Sequence, residues 1–428
     1  MKSYNHTLFL YAKSLFDLKE FKRCTHTLRN QTDTKSIFLA FYASFLAIHS
    51  NTIIHDLSKK SNHSIGLYKE LLDSLENYIH NNHPDSFILY LYGVVCKLVD
   101  RLDDAKQALI QSINKYPWNW SAWLELNSLI ETMEMYNEII VQLPASFVKQ
   151  AFEIKTLNDL YQGLEAVEPI IEMQNTLAPN NRFCQIQRAI LYHNIGDFEQ
   201  SELLFDHINE IDPFLMESMD VYSNVLYVRK QLDKLCDLAH HISSWNPFRP
   251  ESCVCIGNYY SSKDDHQKAI DSFSKAIKLD QSYSSAWILL GHEYIETHNP
   301  KAAIEVYRRA TEINPKDYRA WFGLGQAYDI LQLYNYSIYY YQKATAIRPN
   351  DARMWGALSS SYESTNNIHQ AIKCLHRAIN CDIILIIDYA KCAELYLNLK
   401  NTKFNITISK LYLKYINEHF QNLHLVTQ

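Results

Sequence analysis

The sequence predicts an all-α fold built from repeated pairs of helices, and three observations support this prediction. The chain has 428 residues, more than one hydrophobic core usually serves, so it forms either several domains or an array that grows in one direction. It contains only 9 glycines and 11 prolines, which is too few for the many turns of a β-rich fold. Several residue types also recur at one fixed period, which indicates a repeat array.

The period is 34 residues, and it holds without a slip. Gly257, Gly291 and Gly325 are equally spaced (291 − 257 = 325 − 291 = 34), and Ser359 takes the next position. This is the period of tetratricopeptide repeats, so the predicted fold is a tetratricopeptide-repeat superhelical solenoid of antiparallel helix pairs. Three further columns fall on the same phase: Tyr260, Tyr294, Tyr328 and Tyr362; Ala276, Ala310, Ala344 and Ala378; and Pro179, Pro213, Pro247, Pro315 and Pro349, with Gln281 filling the one gap among the prolines.

Each column of the repeat has a physical reason. Leu290 and Tyr294 belong to the apolar stripe of a first helix. Gly291 and Ala303 are small, which predicts that the two helices of one repeat cross closely there. Pro315 should end the second helix, because proline lacks an amide donor and clashes with the preceding turn.

The strength of the pattern varies along the chain and divides it into four segments. We expect N-terminal repeats with a homodimerisation region over 1–117, degenerate repeats over 118–181, and regular repeats forming a partner groove over 182–385. Degenerate or capping helices should follow over 386–428. The strongest units begin at Pro250, Ser284, Tyr318 and Ala352, weaker units at Val148, Arg182 and Met216, and one further clear unit at Ser86.

Two local features should interrupt the helices. Pro169 falls inside the second helix of the Val148 unit, where a kink or break is expected. The polar segment 50–65 is expected to be a loop.

Composition and charge exclude several classes of function. The net charge is −6 and the chain has no run of Lys or Arg, so no nucleic acid partner is expected. The apolar stretches Leu8–Ala12 and Ile383–Ile387 are too short for a signal peptide core or a membrane span. We therefore expect a soluble, intracellular protein without membrane contact, and its nine cysteines should be free thiols.

No motif of catalysis, cofactor binding or metal binding stands out. The pair Gly323-x-Gly325 lies inside a first helix without the preceding strand that a phosphate loop needs. Cys253-x-Cys255 has the wrong spacing for a zinc knuckle. His240-His241 lies near the end of a second helix, where histidine more often caps carbonyl groups. We expect no enzyme activity, no cofactor and no metal.

The concave face of the solenoid is the expected binding surface. First helices line this face in a repeat array of this kind, and the positions that follow the glycine column should face the groove. Each of these residues, taken alone, fits an ordinary solvated helix position, but together they give carboxylates and amides suited to an arginine-bearing partner segment. The candidate partner-binding residues are Asn224, Asn258, His292, Glu293, Glu296, Gln326 and Asp329.

Several stretches resemble one family more than a generic repeat. They resemble subunit 8 of the anaphase-promoting complex (cyclosome), the cell division cycle protein 23 family. The generic repeat does not require the Asn258-Tyr259 pair, His292-Glu293 or the tyrosine run 339–341. The stretches are Ser223–Arg229, Glu251–Tyr260, AWILLGHEYIE from Ala286, DYRAWFGLGQAYDIL from Asp317 and SIYYYQKATAIRPNDARMWGALSSSYE from Ser337, with YAKSLFDLKEF from Tyr11, YLYGVVCKLVD from Tyr90 and NWSAWLELNSLI from Asn119 upstream.

The resemblance implies a non-catalytic scaffold of a mitotic ubiquitin ligase whose cullin and RING subunits carry the activity. It implies a homodimer formed by N-terminal repeats, other subunits of the complex as partners, and a C-terminal superhelix that docks a coactivator through a basic, arginine-containing segment. The nucleus and cytoplasm are the implied location. The alternatives are a subunit 3-like repeat protein of the same complex, an unrelated adaptor or co-chaperone, and a repeat array fused to an enzyme.

Overall fold

The computed structural model describes residues 2–55, 62–82, 84–176 and 181–381, and within these ranges it contains 22 α-helices and no strand. The helices are α1 Lys2–Asp17, α2 Phe21–Leu28, α3 Thr34–His55, α4 Asn62–Asn81, α5 Ser86–Leu98, α6 Leu102–Lys115, α7 Trp120–Leu129, α8 Met133–Ile140, α9 Phe147–Asp159, α10 Gly163–Thr176, α11 Arg182–Ile195, α12 Phe198–Ile211, α13 Met219–Val228, α14 Leu232–Trp245, α15 Pro250–Ser261, α16 His266–Leu279, α17 Ser284–Glu296, α18 Pro300–Ile313, α19 Tyr318–Ile330, α20 Tyr334–Ile347, α21 Ala352–Ser364 and α22 Ile368–Cys381.

The helix starts confirm the repeat units predicted from the sequence. The four strongest units begin at the first residues of α15, α17, α19 and α21, and the unit at Arg182 begins α11. The other two weaker units deviate slightly, because α9 begins at Phe147 and α13 at Met219. The all-α repeat prediction is therefore confirmed for the described part of the chain.

The glycine column marks where helices of a repeat approach each other most closely. A Cβ atom added at Gly291 would lie 2.4 Å from Tyr307 Cε1, and one added at Gly323 would lie 2.4 Å from Tyr307 Cζ. Tyr307 is thus held between two glycines and is completely buried. Ala303 is also completely buried, as expected for a small residue at this crossing. These contacts explain why both positions need glycine.

The proline column ends each second helix and is linked to the following unit. The indole Nε1 of Trp321 donates a hydrogen bond to the Pro315 carbonyl oxygen at 2.8 Å, and Trp355 bonds Pro349 in the same way at 2.7 Å. Cys253 occupies the tryptophan position of its unit and is buried, which confirms its place in the core. This hydrogen bond fixes the end of one repeat against the first helix of the next repeat.

The turns between the two helices of a repeat share one backbone conformation. In six consecutive repeats a turn residue has a positive φ between 56° and 100°. This left-handed conformation is the usual way to end a helix and favours Gly, Asn or Asp. The six residues are Gly196, Lys230, Asp264, His298, Gln332 and Asn366.

The chain divides into two compact units, unit 1 at Met1–Thr156 and unit 2 at Leu157–Gln428. The core of unit 1 begins with Ala12, Leu15, Cys24 and Leu28, which pack between the first helices. In unit 2 the core is a series of clusters, each of which joins two or three neighbouring repeats. A core of this kind grows with the number of repeats, as expected for a solenoid.

Two local expectations need correction, and one lies outside the described residues. The expected loop over 50–65 is too long, because α3 continues to His55 and α4 starts at Asn62. A break at Pro169 is wrong, because α10 is one helix from Gly163 to Thr176, and the alternative of a kink there stays a prediction. The capping segment 386–428 lies outside the described residues.

Candidate partner-binding site

The seven candidate residues lie on four consecutive first helices of unit 2. Helices α13, α15, α17 and α19 pack side by side in that order, which gives one continuous row of first helices. Asn224 lies on α13 and Asn258 on α15, while α17 carries His292, Glu293 and Glu296, and α19 carries Gln326 and Asp329. The sequence therefore placed the candidates on neighbouring helices of one row.

Asn258 links two of these helices. Its side-chain amide donates to Ser223 Oγ at 2.8 Å and to Asn224 Oδ1 at 2.7 Å, and the residue is buried. Buried amides need such partners, because an unsatisfied polar group is costly. Asn258 therefore holds α13 against α15 and orients the amide of Asn224.

Glu293 has a similar internal role between α15, α16 and α17. It is only 4% exposed, and its carboxylate accepts from Ser261 Oγ at 2.6 Å and pairs with His266 Nδ1 at 2.9 Å. The hydrogen bond to this carboxylate raises the pKa of His266. The Glu293 carboxylate is thus satisfied within the protein.

His292 is a neutral, partly buried side chain. Its Nδ1 lies 2.7 Å from the Tyr307 hydroxyl oxygen, and the two rings meet edge to face. Burial, together with the nearby positive charge of Arg319, lowers the pKa of His292 to about 4. His292 therefore offers a polar but uncharged surface near pH 7.

The remaining candidates keep accessible polar groups. Glu296 is exposed at the end of α17, while Gln326 and Asp329 are partly buried on α19. Burial raises the pKa of Asp329. Glu296 and Asp329 are thus the candidate carboxylates that remain open to a partner.

The structure adds an acidic cluster that sequence reasoning missed. Asp220 on α13, Glu251 on α15 and Tyr283, which precedes α17, lie close together. Burial raises the pKa of the Tyr283 hydroxyl, and the negative charges of Asp220 and Glu251 raise this pKa further. Neither carboxylate forms an ion pair within the described residues. The Tyr283 hydroxyl interacts with the Asp220 carboxylate, while Glu251 Oε2 is shielded from solvent and has no hydrogen-bond partner. Asp220 lies one helical turn before Asn224, and that spacing was the available signal.

Unit 1 contains an apolar cavity between α2, α3 and α4. Its volume is about 730 Å³, and its walls include Phe41, Ile48 and Tyr78, with Lys22 and Arg29 also among its lining residues. This cavity lies inside the segment that the sequence assigns to homodimerisation.

Metal sites, membrane-spanning helices and disulfide bonds are absent from the described residues. The described residues contain no group of three or more metal-ligating side chains, and no helix among them has the length and apolar character to cross a membrane. The eight cysteines within these ranges are free.

Comparison with known proteins connects this fold to one family. The sequence model described as "Anaphase promoting complex subunit 8 / Cdc23" matches residues 1–189, and tetratricopeptide-repeat models match 250–283, 288–352 and 352–382. Subunit 8 of Arabidopsis thaliana is 40% identical over 285 residues, covering 65% of this chain and 48% of that protein. CDC23 of Saccharomyces cerevisiae is 31% identical over 349 residues, covering 66% and 56%.

A comparison with solved structures supports the fold, and the chain covers only part of the length of its sequence relatives. A crystal structure of the anaphase-promoting complex hetero-tetramer Cut9-Hcn1 matches with a TM-score of 0.59 and 16% identity, covering 95% of this chain and 93% of that one. Subunit 3 of Schizosaccharomyces pombe matches at 27% identity over only 38% of this chain. The chain spans about half the length of the curated subunit 8 relatives, 48% and 55% for the first two.

Proposed function

The chain belongs to the family of anaphase-promoting complex subunit 8, and we propose that it is a non-catalytic scaffold subunit of this ubiquitin ligase. The family match over 1–189, followed by regular repeats to the end of the described part, is the observation that carries the proposal. Its partners would be other subunits of the complex in mitotic cell-cycle control, in the nucleus and cytoplasm. Co-purification with cullin and RING subunits tests this role.

The row of first helices in unit 2 would dock the coactivator through an arginine-bearing segment. Support comes from the acidic cluster of Asp220, Glu251 and Tyr283, because its two carboxylates have no ion-pair partner among the described residues and an incoming cation would neutralise them. A guanidinium suits this cluster, since its planar fork can meet two acceptors together, whereas an ammonium is a point charge. Glu296 and Asp329 extend the acidic surface. Asn258 and Glu293 stabilise the helices that carry this surface through their hydrogen bonds to Asn224 and Ser261.

Fluorescence anisotropy with an arginine-containing coactivator peptide tests the docking site. Glu251→Gln should weaken binding at least about tenfold, because a hydrogen bond to a charged group contributes about 1.5–3 kcal/mol. Glu296→Lys should cost at least about 2 kcal/mol if the pair is desolvated. Glu312→Gln is the matched control, since this exposed carboxylate lies on the second helix α18 and pairs with Arg309. Equal binding by wild type, Glu251→Gln and Glu296→Lys would reject this site.

Homodimerisation would use the cavity of unit 1. Its apolar walls could receive an apolar side of a second copy, and burying such surface is the main driving force of association. Phe41→Glu would place a charge in this wall, so sedimentation at micromolar concentration should show a shift from dimer to monomer. Glu165→Lys on α10 serves as a surface control. A wild-type monomer, or a Phe41→Glu protein that stays dimeric, contradicts this role.

A co-chaperone clamp for a C-terminal carboxylate fits the same surface poorly. Such a clamp needs Lys or Arg on the first helices, but the equivalent positions two residues before the glycine column are Cys255, Leu289 and Gly323. Cys255 and Gly323 are buried as well. The acidic surface therefore favours a basic partner segment over an acidic one.

A further inference from the structure

Unit 2 contacts itself between its early and late repeats. Arg348, which follows α20, donates from one terminal nitrogen to the Asn194 carbonyl oxygen at 2.7 Å, across a sequence separation of 154 residues. The ring of Tyr161 meets the ring of Tyr318 edge to face, with centroids 4.9 Å apart. Both contacts join the segment around α10 and α11 to the segment around α19 and α20.

Arg348 is the centre of this contact. Its other terminal nitrogen donates to the Tyr318 hydroxyl at 2.8 Å, and its guanidinium lies 5.0 Å from the centre of the Tyr318 ring. Its Nε lies 3.8 Å from Asp351 Oδ2. A single planar group thus holds the Asn194 turn, the start of α19 and the start of α21 together, which an ammonium could not do.

Two equivalent ion pairs show how much of the surface this contact covers. Arg319 donates to both oxygens of Asp317 at 3.0 and 2.7 Å, and Arg353 repeats the geometry with Asp351 at 3.1 and 2.8 Å. The Arg319 side chain is 28% exposed, while that of Arg353 is 72% exposed. Tyr161 lies near the Arg319–Asp317 pair. Burial raises the pKa of Tyr161 most, and the negative charge of Asp317 raises it further. The early segment therefore covers the first pair and leaves the second open.

Tyr161 is an unusual residue for its backbone position. It has a φ of 58°, in the left-handed region of the helix turns, where a bulky side chain is strained. The equivalent turn residues of later repeats are Gly196, Lys230, Asp264, His298, Gln332 and Asn366; some of these are also large, but none is a tyrosine. A tyrosine is explained here by the ring contact with Tyr318, which compensates for the strained turn.

We propose that Tyr161, Asn194, Tyr318 and Arg348 form an intramolecular clasp that closes unit 2 and restricts access to its row of first helices beside His292. The Arg348 guanidinium joins the Asn194 carbonyl oxygen at the end of α11 to the Tyr318 hydroxyl at the start of α19, so the early helix lies close to that row. A partner segment then reaches this part of the surface fully only after the clasp opens. This last consequence rests on the proposed docking function, while the clasp itself does not.

Pulsed electron paramagnetic resonance on the full chain tests the clasp. Spin labels introduced as unnatural amino acids replace the exposed residues Leu203 on α12 and Tyr339 on α20. Wild type should give one narrow distance distribution. Tyr161→Asn, which suits the turn backbone but lacks the ring, should give a broader and longer distribution.

Arg348→Ala should open the clasp in the same way, and Arg348→Lys, which keeps the charge without the fork, should open it in part. The controls are Lys230→Asn in an equivalent turn and Arg308→Ala, which removes an arginine–tyrosine bond of 2.6 Å between neighbouring repeats. Circular dichroism verifies that each variant is folded. Distributions for the folded clasp variants that superimpose on wild type would overturn the proposal.

Peptide association provides a second readout. The arginine-containing peptide should associate several-fold faster with the open variants than with wild type or the controls. An unchanged association rate in variants that do open would overturn the access role. If no variant binds the peptide, the docking function is wrong, and the distance distributions still decide whether the clasp exists.

Discussion

Replacing Gly291 by alanine tests the close helix crossing on which the repeat register depends. The new Cβ would lie 2.4 Å from Tyr307 Cε1, far inside normal contact. The ring cannot move away, because Gly323 supports its other side and its hydroxyl is bonded to His292. Overpacking costs about 1–3 kcal/mol, and the upper end applies to so confined a ring.

Alanine also stabilises a helix relative to glycine, and this gain must be subtracted from the cost of overpacking. Exchanging glycine for alanine inside a helix contributes about 1 kcal/mol of stability, so Gly291→Ala should lose about 2 kcal/mol net. Gly66→Ala on α4 is the matched control, because no atom lies within 4 Å of its added Cβ, and it should gain up to about 1 kcal/mol.

Urea denaturation followed by circular dichroism measures both effects. Reducing the ring in the double variant Gly291→Ala/Tyr307→Leu should make the alanine less costly than it is alone, as a double-mutant cycle would show. If Gly291→Ala is as stable as Gly66→Ala, the crossing at this position is wrong.

Three further predictions concern bonds that hold the repeats. Asp317→Asn should cost about 3 kcal/mol in urea denaturation, because it leaves the mostly covered Arg319 without its partner, and Glu312→Gln, which breaks the exposed pair with Arg309, should cost clearly less. The pKa of His266 is raised by Glu293, so this pair stabilises the fold below the ordinary value of 6.5 and its contribution is lost as pH rises through the raised pKa. His266→Gln should therefore flatten the fall in urea midpoint between about pH 6 and pH 9; an unchanged slope contradicts it. Trp321→Phe removes the 2.8 Å hydrogen bond from the indole to the Pro315 carbonyl oxygen, so the free energy of unfolding in the same assay should fall by about 1 kcal/mol. A variant as stable as wild type would contradict the role of this bond.

The helix starts of the strong repeats were predictable, because their causes are local and recur. A glycine that must face a neighbouring ring, as at Gly291, and a proline that must stop a helix, as at Pro315, recur at the same place in several units. The extra length of α3 and α4 was not predictable from polarity, since exposed helix faces are polar too.

The candidate site was predictable only in part. The glycine column placed the candidates on neighbouring first helices, but it did not fix which way each side chain points, because two residues along a helix is a rotation of about 200°. Glu293 therefore points away from the crossing at Gly291 and meets Ser261 and His266 of the preceding repeat. The clasp combines residues from distant repeats, as the Arg348–Asn194 bond illustrates, and a 34-residue period contains no information about such contacts.

The scaffold role is tested most directly by quantitative mass spectrometry of the full-length protein, tagged at its natural locus and purified under native conditions. The account predicts that a cullin subunit and a RING subunit co-purify in near-stoichiometric amounts with other repeat subunits. Glu251→Gln should leave these subunits bound and reduce only the coactivator. Recovery of chaperones alone, or of the protein without any cullin or RING subunit, would contradict the account.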